Sequence, residues 1–524
     1  MLTAADELKR LILNSFSFSM QNDEILSITS ASLTEQLMMP AWLSQSWPYI
    51  VLCASVTISL AAAIHVTMHK RDVRAAIGWV GLVLLSPFVG STIYLIAGIN
   101  RIRVKRVSRR RDHIEASHDQ RLLPDEASLT DNVGLALTRQ KLLADRISKF
   151  PLVEGNRVEV FSDGDNAYQA MLAAIDKAKH YIVLQSYIFD YDYIGRRFVD
   201  ALSGAQQRGV NIRVLVDAIG EKYSPRPVSR FLRRSGIAYA RFMPPKLGLR
   251  LAYANMRSHR KLLIVDGQAG FTGGMNIRQA FSREACQQLS ANGKTVTAAK
   301  DTHFCLQGPV VQQLMYSFAH DWEFSCGESL HHRHWFKPAA TPGYVPARCI
   351  TSGPDQALSS NHGMLLGALA AAQQRVMLQS PYFLPDSALL GALMTTARRG
   401  VTVDIVLPAE NNLRLVDYAM NAQLDLVIDA GCRVWRAPGF DHSKLLTVDG
   451  AWSYIGSSNL DPRSLRLNFE LDVELYDRNL AVRLEQQMQA HIDAAEAQTT
   501  QQLAQQPFIK RLRNKLIWLA SPYL

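Results

Sequence analysis

The line Ser258–Asn276, SHRKLLIVDGQAGFTGGMN, is written almost again as Asp441–Asn459, DHSKLLTVDGAWSYIGSSN, 183 residues further on. Both copies follow H-x-K-x4-D-x6-G-[GS]-x-N. Any fold for this chain must therefore build the same local structure twice. The repetition also extends upstream. VLQSYIF at 183–189 faces MLQSPYF at 377–383, and RGVNIRVLVD at 208–217 faces RGVTVDIVLP at 399–408. The order is kept while the offsets fall from 194 to 191 to 183 residues, so only loops change length. Two halves built on one plan are the simplest account.

Each half reads locally as α/β. YIVLQSYIF (181–189) is an apolar β-type run, and RFVDALSGAQQRG (197–209) has helical spacing and stops at Gly209. VNIRVLVDA (210–218) is again a strand. In the second half ALLGALMTTARRG (388–400) ends on Gly400 and leads into VTVDIVL. Strand, helix and strand with short turns predict parallel crossover units. KLLIVD and KLLTVDG are strands whose first residues deliver the His and the Lys.

Inside the motif the spacing has a physical logic. His259 and Lys261, like His442 and Lys444, are two residues apart, so on a strand they project to one face. Asp266 and Asp449 lie five residues beyond the Lys. A straight strand takes them off that face, so they are expected to meet the other half or to turn back and hold a ring N–H. Gly273, Asn276, Ser457 and Asn459 would bring backbone N–H groups and amides close to an anion. Two imidazoles and two ammoniums suit a phosphodiester. The cations and amides stabilise the extra charge of a five-coordinate phosphorus. One imidazole attacks phosphorus while the other serves the leaving and entering oxygens as acid and base. One copy of the motif supplies one His, and a two-step exchange needs two.

Charge and hydropathy place the chain at a membrane. The formal net charge is +11. Residues 101–111 and the tail from Pro507 together hold eleven Lys or Arg and no acid, so the rest of the chain is balanced. A nucleic-acid-binding surface spreads its charge over a domain, and this chain does not. Pro48–Met68 has 21 residues and no Asp, Glu, Lys or Arg, and 75–99 is a second such run. A helix of 21 residues is roughly 31 Å long, about the hydrocarbon thickness. With only HKRDVR between them, the two runs predict a two-helix transmembrane hairpin. The heavier basic flank after the second run puts both chain ends in the cytoplasm. Asp6 and Glu7 with no long apolar run argue against a cleavable signal peptide. In the tail, Leu512, Leu516, Ile517 and Leu519 interleave with Lys510, Arg511, Arg513 and Lys515. This fits either an amphipathic helix on anionic lipid or a docked terminal helix. HHRHW at 331–335 reads as a solvated loop rather than a metal site, and His303 as local packing or a contact from behind the site. Six scattered cysteines suggest neither a disulfide framework nor a zinc ribbon.

The duplicated motif resembles the phospholipase D superfamily from about Val153 to the C-terminus. Within it the chain is similar to the bacterial cardiolipin synthases. HKRDVRAAIGW and SPFVGSTIYLIAGINRIR resemble that family's membrane hairpin. RKLLIVDGQAGFTGGMNI resembles its first motif, with Gly274 where other members often have Ser. DPRSLRLNFELDVELYD and the closing SPYL are similar as well. The resemblance implies an α/β fold of two pseudo-symmetric phospholipase D-like domains sharing one active site, preceded by a two-helix transmembrane hairpin.

It implies His259 and His442 as nucleophile and acid/base pair, His259 being the nucleophile by analogy. Lys261, Lys444, Asn276 and Asn459 would bind phosphoryl oxygens, Asp266 and Asp449 would support the site, and Glu470 and Asp301 would each buttress a His. The implied reaction joins two phosphatidylglycerol molecules into cardiolipin, releases glycerol, and needs no metal or nucleotide. The alternative is a phospholipase D or another phosphatidyltransferase, with water or a different alcohol as acceptor. The expected partners are phosphatidylglycerol and other membrane phospholipids, not nucleic acid, and the expected location is the bacterial inner membrane. The expected organisation is an N-terminal segment to 45, possible disorder included, spans in 46–100, and a basic linker over 101–150. Catalytic halves over 151–340 and 341–495 and a basic amphipathic tail over 496–524 follow.

Overall fold

Tyr181–Ser186 and Arg375–Gln379 are apolar on both faces, the pattern of strands covered from two sides. In the computed structural model each is such a strand. The structure describes residues 41–70, 73–98, 123–244, 256–290, 296–338, 340–354 and 360–521. The expectations for residues 1–40 and for the basic run 101–111 lie outside the described residues.

The chain divides into two units, residues 1–101 and 102–524. In the first unit, α1 (Ala41–His69) contains a 25-residue stretch, Gln45–His69, long and apolar enough to cross a membrane. Leu52, Val56, Leu60 and Ile64 are each more than half exposed on it, as suits a lipid surround. The second apolar run is not one helix. It divides into α2 (Val73–Leu85), α3 (Pro87–Ile93) and a π-helical turn at Tyr94–Gly98. The break falls at Ser86, whose φ of −138° is extended, before Pro87, which has no N–H and disfavours a helical residue ahead of it. This corrects the expectation of two uninterrupted spans.

In the second unit, fifteen strands form one sheet among the described residues. They are β1 (Val153–Phe161), β2 (Tyr181–Ser186), β3 (Asn211–Asp217), β4 (Tyr239–Phe242), β5 (Leu262–Val265), β6 (Ala269–Gly273), β7 (His303–Gln307), β8 (Val345–Ser352), β9 (Arg375–Gln379), β10 (Thr402–Pro408), β11 (Arg433–Ala437), β12 (Leu445–Val448), β13 (Trp452–Gly456), β14 (Glu470–Tyr476) and β15 (Glu496–Gln498). Outward from the β1–β8 joint the pairing runs β1–β7–β6–β5–β2–β3–β4 on one side. On the other side it runs β8–β14–β13–β12–β9–β10–β11, with β15 at the edge. Both series are antiparallel for four steps and parallel for two.

The parallel steps come from crossovers. α4 (Tyr193–Gln207) links β2 to β3 and α6 (Ser387–Arg398) links β9 to β10, with α5 (Val310–Cys326) between the halves. Asp192 and Asp386 cap the starts of α4 and α6, and Gly209 and Gly400 follow them in left-handed backbone, as the sequence pattern predicts. The helices α7 (Arg414–Asn421), α8 (Arg478–Asp493) and α9 (Phe508–Leu519) complete the elements used below. One buried cluster takes residues from both halves, among them Val160, Leu262, Phe304, Leu445, Leu471 and Met488.

Candidate active site

The two motif strands, β5 and β12, are four residues long and wholly buried. Each His-x-Lys triplet sits just ahead of its strand, where the chain leaves the sheet. There it pairs with a segment of the other half. Ser258 bridges Phe469 and Lys300 bridges Asp441, both in parallel sense. The N–H of His259 donates to the carbonyl of Phe469 (2.9 Å), and that of His442 to the carbonyl of Lys300 (2.8 Å). The next residues of those segments are Glu470, the first residue of β14, and Asp301, two residues ahead of β7.

The carboxylates therefore cross. His259 Nδ1 lies 3.1 Å from Glu470 Oε2, and His442 Nδ1 lies 2.9 Å from Asp301 Oδ2. With acceptors at both Nδ1 atoms, each neutral ring carries its hydrogen there and keeps the Nε2 lone pair free. Lys261 Nζ donates to the carbonyl of His259 (2.6 Å), and Lys444 Nζ to that of His442. The two triplets form one electrostatic cluster. Lys444 lowers the pKa of His259, and Lys261 and His259 lower that of His442, in both cases adding to a larger effect of burial. Burial, reinforced by the opposite ammonium, pushes Lys261 down to about 7. Burial pushes Lys444 to about 8 against the pull of Asp301 and Glu470.

The two carboxylates differ in support. Burial alone would raise Glu470, but His259, Lys261 and the Ser457 hydroxyl outweigh it and hold the group below its ordinary value. Glu470 accepts from Ser457 Oγ (2.6 Å) and Asn468 Nδ2 (3.1 Å). Asp301 has no partner at Oδ1, and burial raises it to about 6. His303, buried behind it, is pushed by burial down to about 4.

Two expectations need correction. Asp266 and Asp449 hold no imidazole. Asp266 accepts the backbone N–H groups of Lys179, His180 and Tyr181 at 2.7–2.9 Å, and Asp449 those of Gln373, Gln374 and Arg375 at 2.8–2.9 Å. The reason is length: a four-residue strand carries the chain roughly 13 Å. The Asp therefore leaves at the end of β5 or β12 opposite the Lys and caps the start of β2 or β9. Both aspartates have φ of +54°, the left-handed turn that aims them there.

Ser457 presents no donor to an anion either. Its hydroxyl donates to Glu470, and its N–H donates to the Leu471 carbonyl (3.0 Å). A hydroxyl enclosed beside a buried carboxylate satisfies that charge first. Gly273 provides room: at φ of +150°, a Cβ would fall 2.6 Å from His303 Nδ1. Asn276 fixes its carbonyl on the Ile188 N–H (3.0 Å), which leaves its amide N–H groups for other acceptors. Asn459 is buried, with no hydrogen-bond partner at Oδ1.

The aromatic walls were not foreseen. The Tyr187 ring stands 5.2 Å from that of His259 and 5.6 Å from Lys261 Nζ, and the Tyr382 ring stands 6.4 Å from His442. Their signal was the repeated LQS followed by aromatics in both halves. Arg260 was also missed. It is buried, donating to the Glu470 carbonyl (3.0 Å) and to Asp321 (2.8 Å), and so anchors the crossing segment. In HHRHW, His331 lies 3.5 Å from Glu323 and His334 bonds Asn211 at 3.1 Å. Among the described residues no three His, Cys, Asp or Glu are grouped to hold a metal.

Comparison with known proteins bears on the family and the fold. A family model described as cardiolipin synthase, PLD-like domain matches residues 171–322 and 365–492, and one described as phospholipase D-nuclease N-terminal matches 57–98. The chain is 31% identical to cardiolipin synthase A of Pseudomonas fluorescens, over 89% of this chain and 96% of that protein. It is 30% identical to the major cardiolipin synthase of Bacillus subtilis, over 89% and 97%. Among solved structures, phosphatidylserine synthase of Haemophilus influenzae superposes with a TM-score of 0.57 at 14% identity, covering 74% of this chain and all of that one. That likeness bears on the fold alone.

Proposed function

Since the chain belongs to the cardiolipin synthase family of the phospholipase D superfamily, and is thereby a phosphatidyltransferase, we propose that it joins two phosphatidylglycerol molecules into cardiolipin. The observation that carries the reading is the pair of crossed dyads, His259–Glu470 and His442–Asp301, around two buried lysines. In this reading residues 151–340 and 341–495 are two pseudo-symmetric halves around one site. The paired apolar segments anchor the chain in the bacterial inner membrane with the catalytic unit on the cytoplasmic side.

The steps follow from the groups present. Nε2 of His259 attacks phosphorus of the first phosphatidylglycerol, and the bond to the glycerol oxygen breaks. His442, which takes up a proton at Nε2 as the anionic phosphodiester binds, gives that proton to the departing oxygen, and glycerol leaves. The intermediate is a phosphohistidine cation, which the ionised Glu470 stabilises through Nδ1–H. His442, now neutral, takes the proton of a headgroup hydroxyl on the second phosphatidylglycerol. That oxygen attacks phosphorus, the P–N bond breaks, and cardiolipin is released. Lys261, Lys444 and the amide of Asn276 balance the charge of the five-coordinate species. Asn459 would do the same once its amide reorients. The surroundings of Glu470 favour His259 as nucleophile, because a carboxylate held ionised suits the cation that attack creates.

The test is incubation of the detergent-solubilised full chain with phosphatidylglycerol alone, without added metal or nucleotide. Cardiolipin and free glycerol in equal amounts are expected. Phosphatidic acid without cardiolipin would assign water as the acceptor, and no product would overturn the reading. Denaturing quench and digestion at alkaline pH, where a P–N bond survives, should place the phosphatidyl label on the peptide containing His259, and label on the His442 peptide would reverse the two roles.

A further inference from the structure

The helix α9 is docked, yet it turns its apolar side outward. Ile517 and Trp518 pack on the second-half core, and Asn514 is buried. Arg513 stacks on Tyr418 of α7 at 3.6 Å, and Lys515 donates to the Ala422 carbonyl at 2.7 Å. Phe508, Ile509, Leu512, Leu516 and Leu519 are 74%, 79%, 45%, 57% and 68% exposed. At 3.6 residues per turn these five share a sector of roughly 100°, opposite the docked side. On its flanks lie Arg513 on one side and Lys515 and Arg511 on the other, Lys515 standing 3.6 Å from Asp425, and residues 507–524 contain no acid. Leu413 and Leu415, 48% and 54% exposed, lie at the start of α7, the helix against which α9 packs.

We propose that this α7–α9 face is where the catalytic unit lies on a bilayer rich in anionic phospholipid, with the apolar sector in the acyl boundary and the basic residues at the headgroups. A water-facing sector of five large apolar side chains is a surface that soluble proteins avoid. A basic rim around an apolar stripe matches an anionic interface. A second copy on the same face would set basic rim against basic rim. The face also borders the site. Asn412, next to Leu413, accepts the Tyr382 hydroxyl at 2.8 Å, and the Tyr382 ring is 6.4 Å from that of His442. A lipid whose tails stay in the membrane thus presents its headgroup past Tyr382. Only this last step rests on the proposed lipid chemistry.

The test uses the full chain in nanodiscs. With the exposed Cys53 and Cys326 replaced by Ser, Leu512→Cys carries an environment-sensitive dye, and doxyl-labelled lipid serves as quencher. Strong quenching in discs containing phosphatidylglycerol, several-fold weaker in all-phosphatidylcholine discs, is expected. Absence of quenching in both would overturn the proposal. So would a dimer that the triple variant Phe508→Glu, Leu512→Glu, Leu516→Glu dissociates, since it would make the face a self-interface. The same variant should raise the apparent KM for bilayer phosphatidylglycerol about tenfold and leave turnover of a short-chain, water-soluble phosphatidylglycerol unchanged. Equal loss on both substrates would overturn the proposal. The quenching arm reads membrane contact even if the reaction is not the one proposed.

Discussion

Asp301 holds the imidazole of His442 at 2.9 Å across 141 residues of chain, and Glu470 does the converse for His259 across 211. Each motif's imidazole is thus held by a carboxylate from the other half.

That crossing makes the effects of paired substitutions non-additive. His259→Ala and His442→Ala should each lower turnover by at least about 10³-fold. Glu470→Gln and Asp301→Asn should each cost about 10²- to 10⁴-fold by releasing the ring tautomer. Asp301→Asn added to His442→Ala should cost almost nothing more, whereas added to His259→Ala it should lower any residual activity further. Steady-state kinetics on the two double variants reads the pairing directly.

Asp266→Ala and Asp449→Ala should behave differently. Each carboxylate satisfies three backbone N–H groups at a strand start. Removing it should cost about 1–3 kcal/mol of stability and leave kcat of the folded fraction nearly unchanged. Thermal unfolding of the solubilised protein beside specific activity per folded molecule checks this. A kcat loss as deep as that of the histidine variants would return these residues to the chemistry.

Ser457→Ala separates two roles for that hydroxyl. If it supports Glu470, its loss lets the carboxyl pKa rise, so the acid limb of the pH–rate profile moves to higher pH while KM for lipid stays put. A raised KM with an unmoved profile would indicate phosphate binding instead.

The lysines predict proton uptake. Empty, Lys261 and Lys444 titrate at about 7 and 8. An anionic phosphodiester between them raises both values, so at pH 8 binding should take up about one proton. Calorimetry of a non-hydrolysable analogue in buffers of different ionisation enthalpy measures it, and release of a proton would contradict the site. For the empty protein the sign is also defined. Both folded values lie below the ordinary 10.5, so the destabilisation from burying these lysines is absent above about 10.5 and complete below about 7.

How much of this was legible follows from the range of each interaction. Local pattern was enough for the crossovers, because Gly209 and Gly400 end helices whose spacing is written in the chain. Glu470 and Asp301 came only from the family resemblance. Local pattern could not show which ring each would hold, because that depends on segments crossing between halves. Asp266 and Asp449 misled because a fixed spacing in a motif says nothing about which end of a short strand the residue occupies. Composition marked 75–99 as apolar but did not weigh Pro87. The aromatics after LQS were visible as repetition, and only the packing brings Tyr187 and Tyr382 against the rings.

The shared core also sets an order for how the protein is made. Its buried cluster runs from Phe150 to Trp335 and then from Val345 to Ile492. At translation rates of about 5–20 residues per second, the first half emerges on the order of ten seconds before the residues that cover it. During that interval its apolar face and the β1 edge stand open. A product truncated before Ile492 would leave part of that shared cluster uncovered, while the first half's own buried cluster around Phe198 and Val214 would be complete.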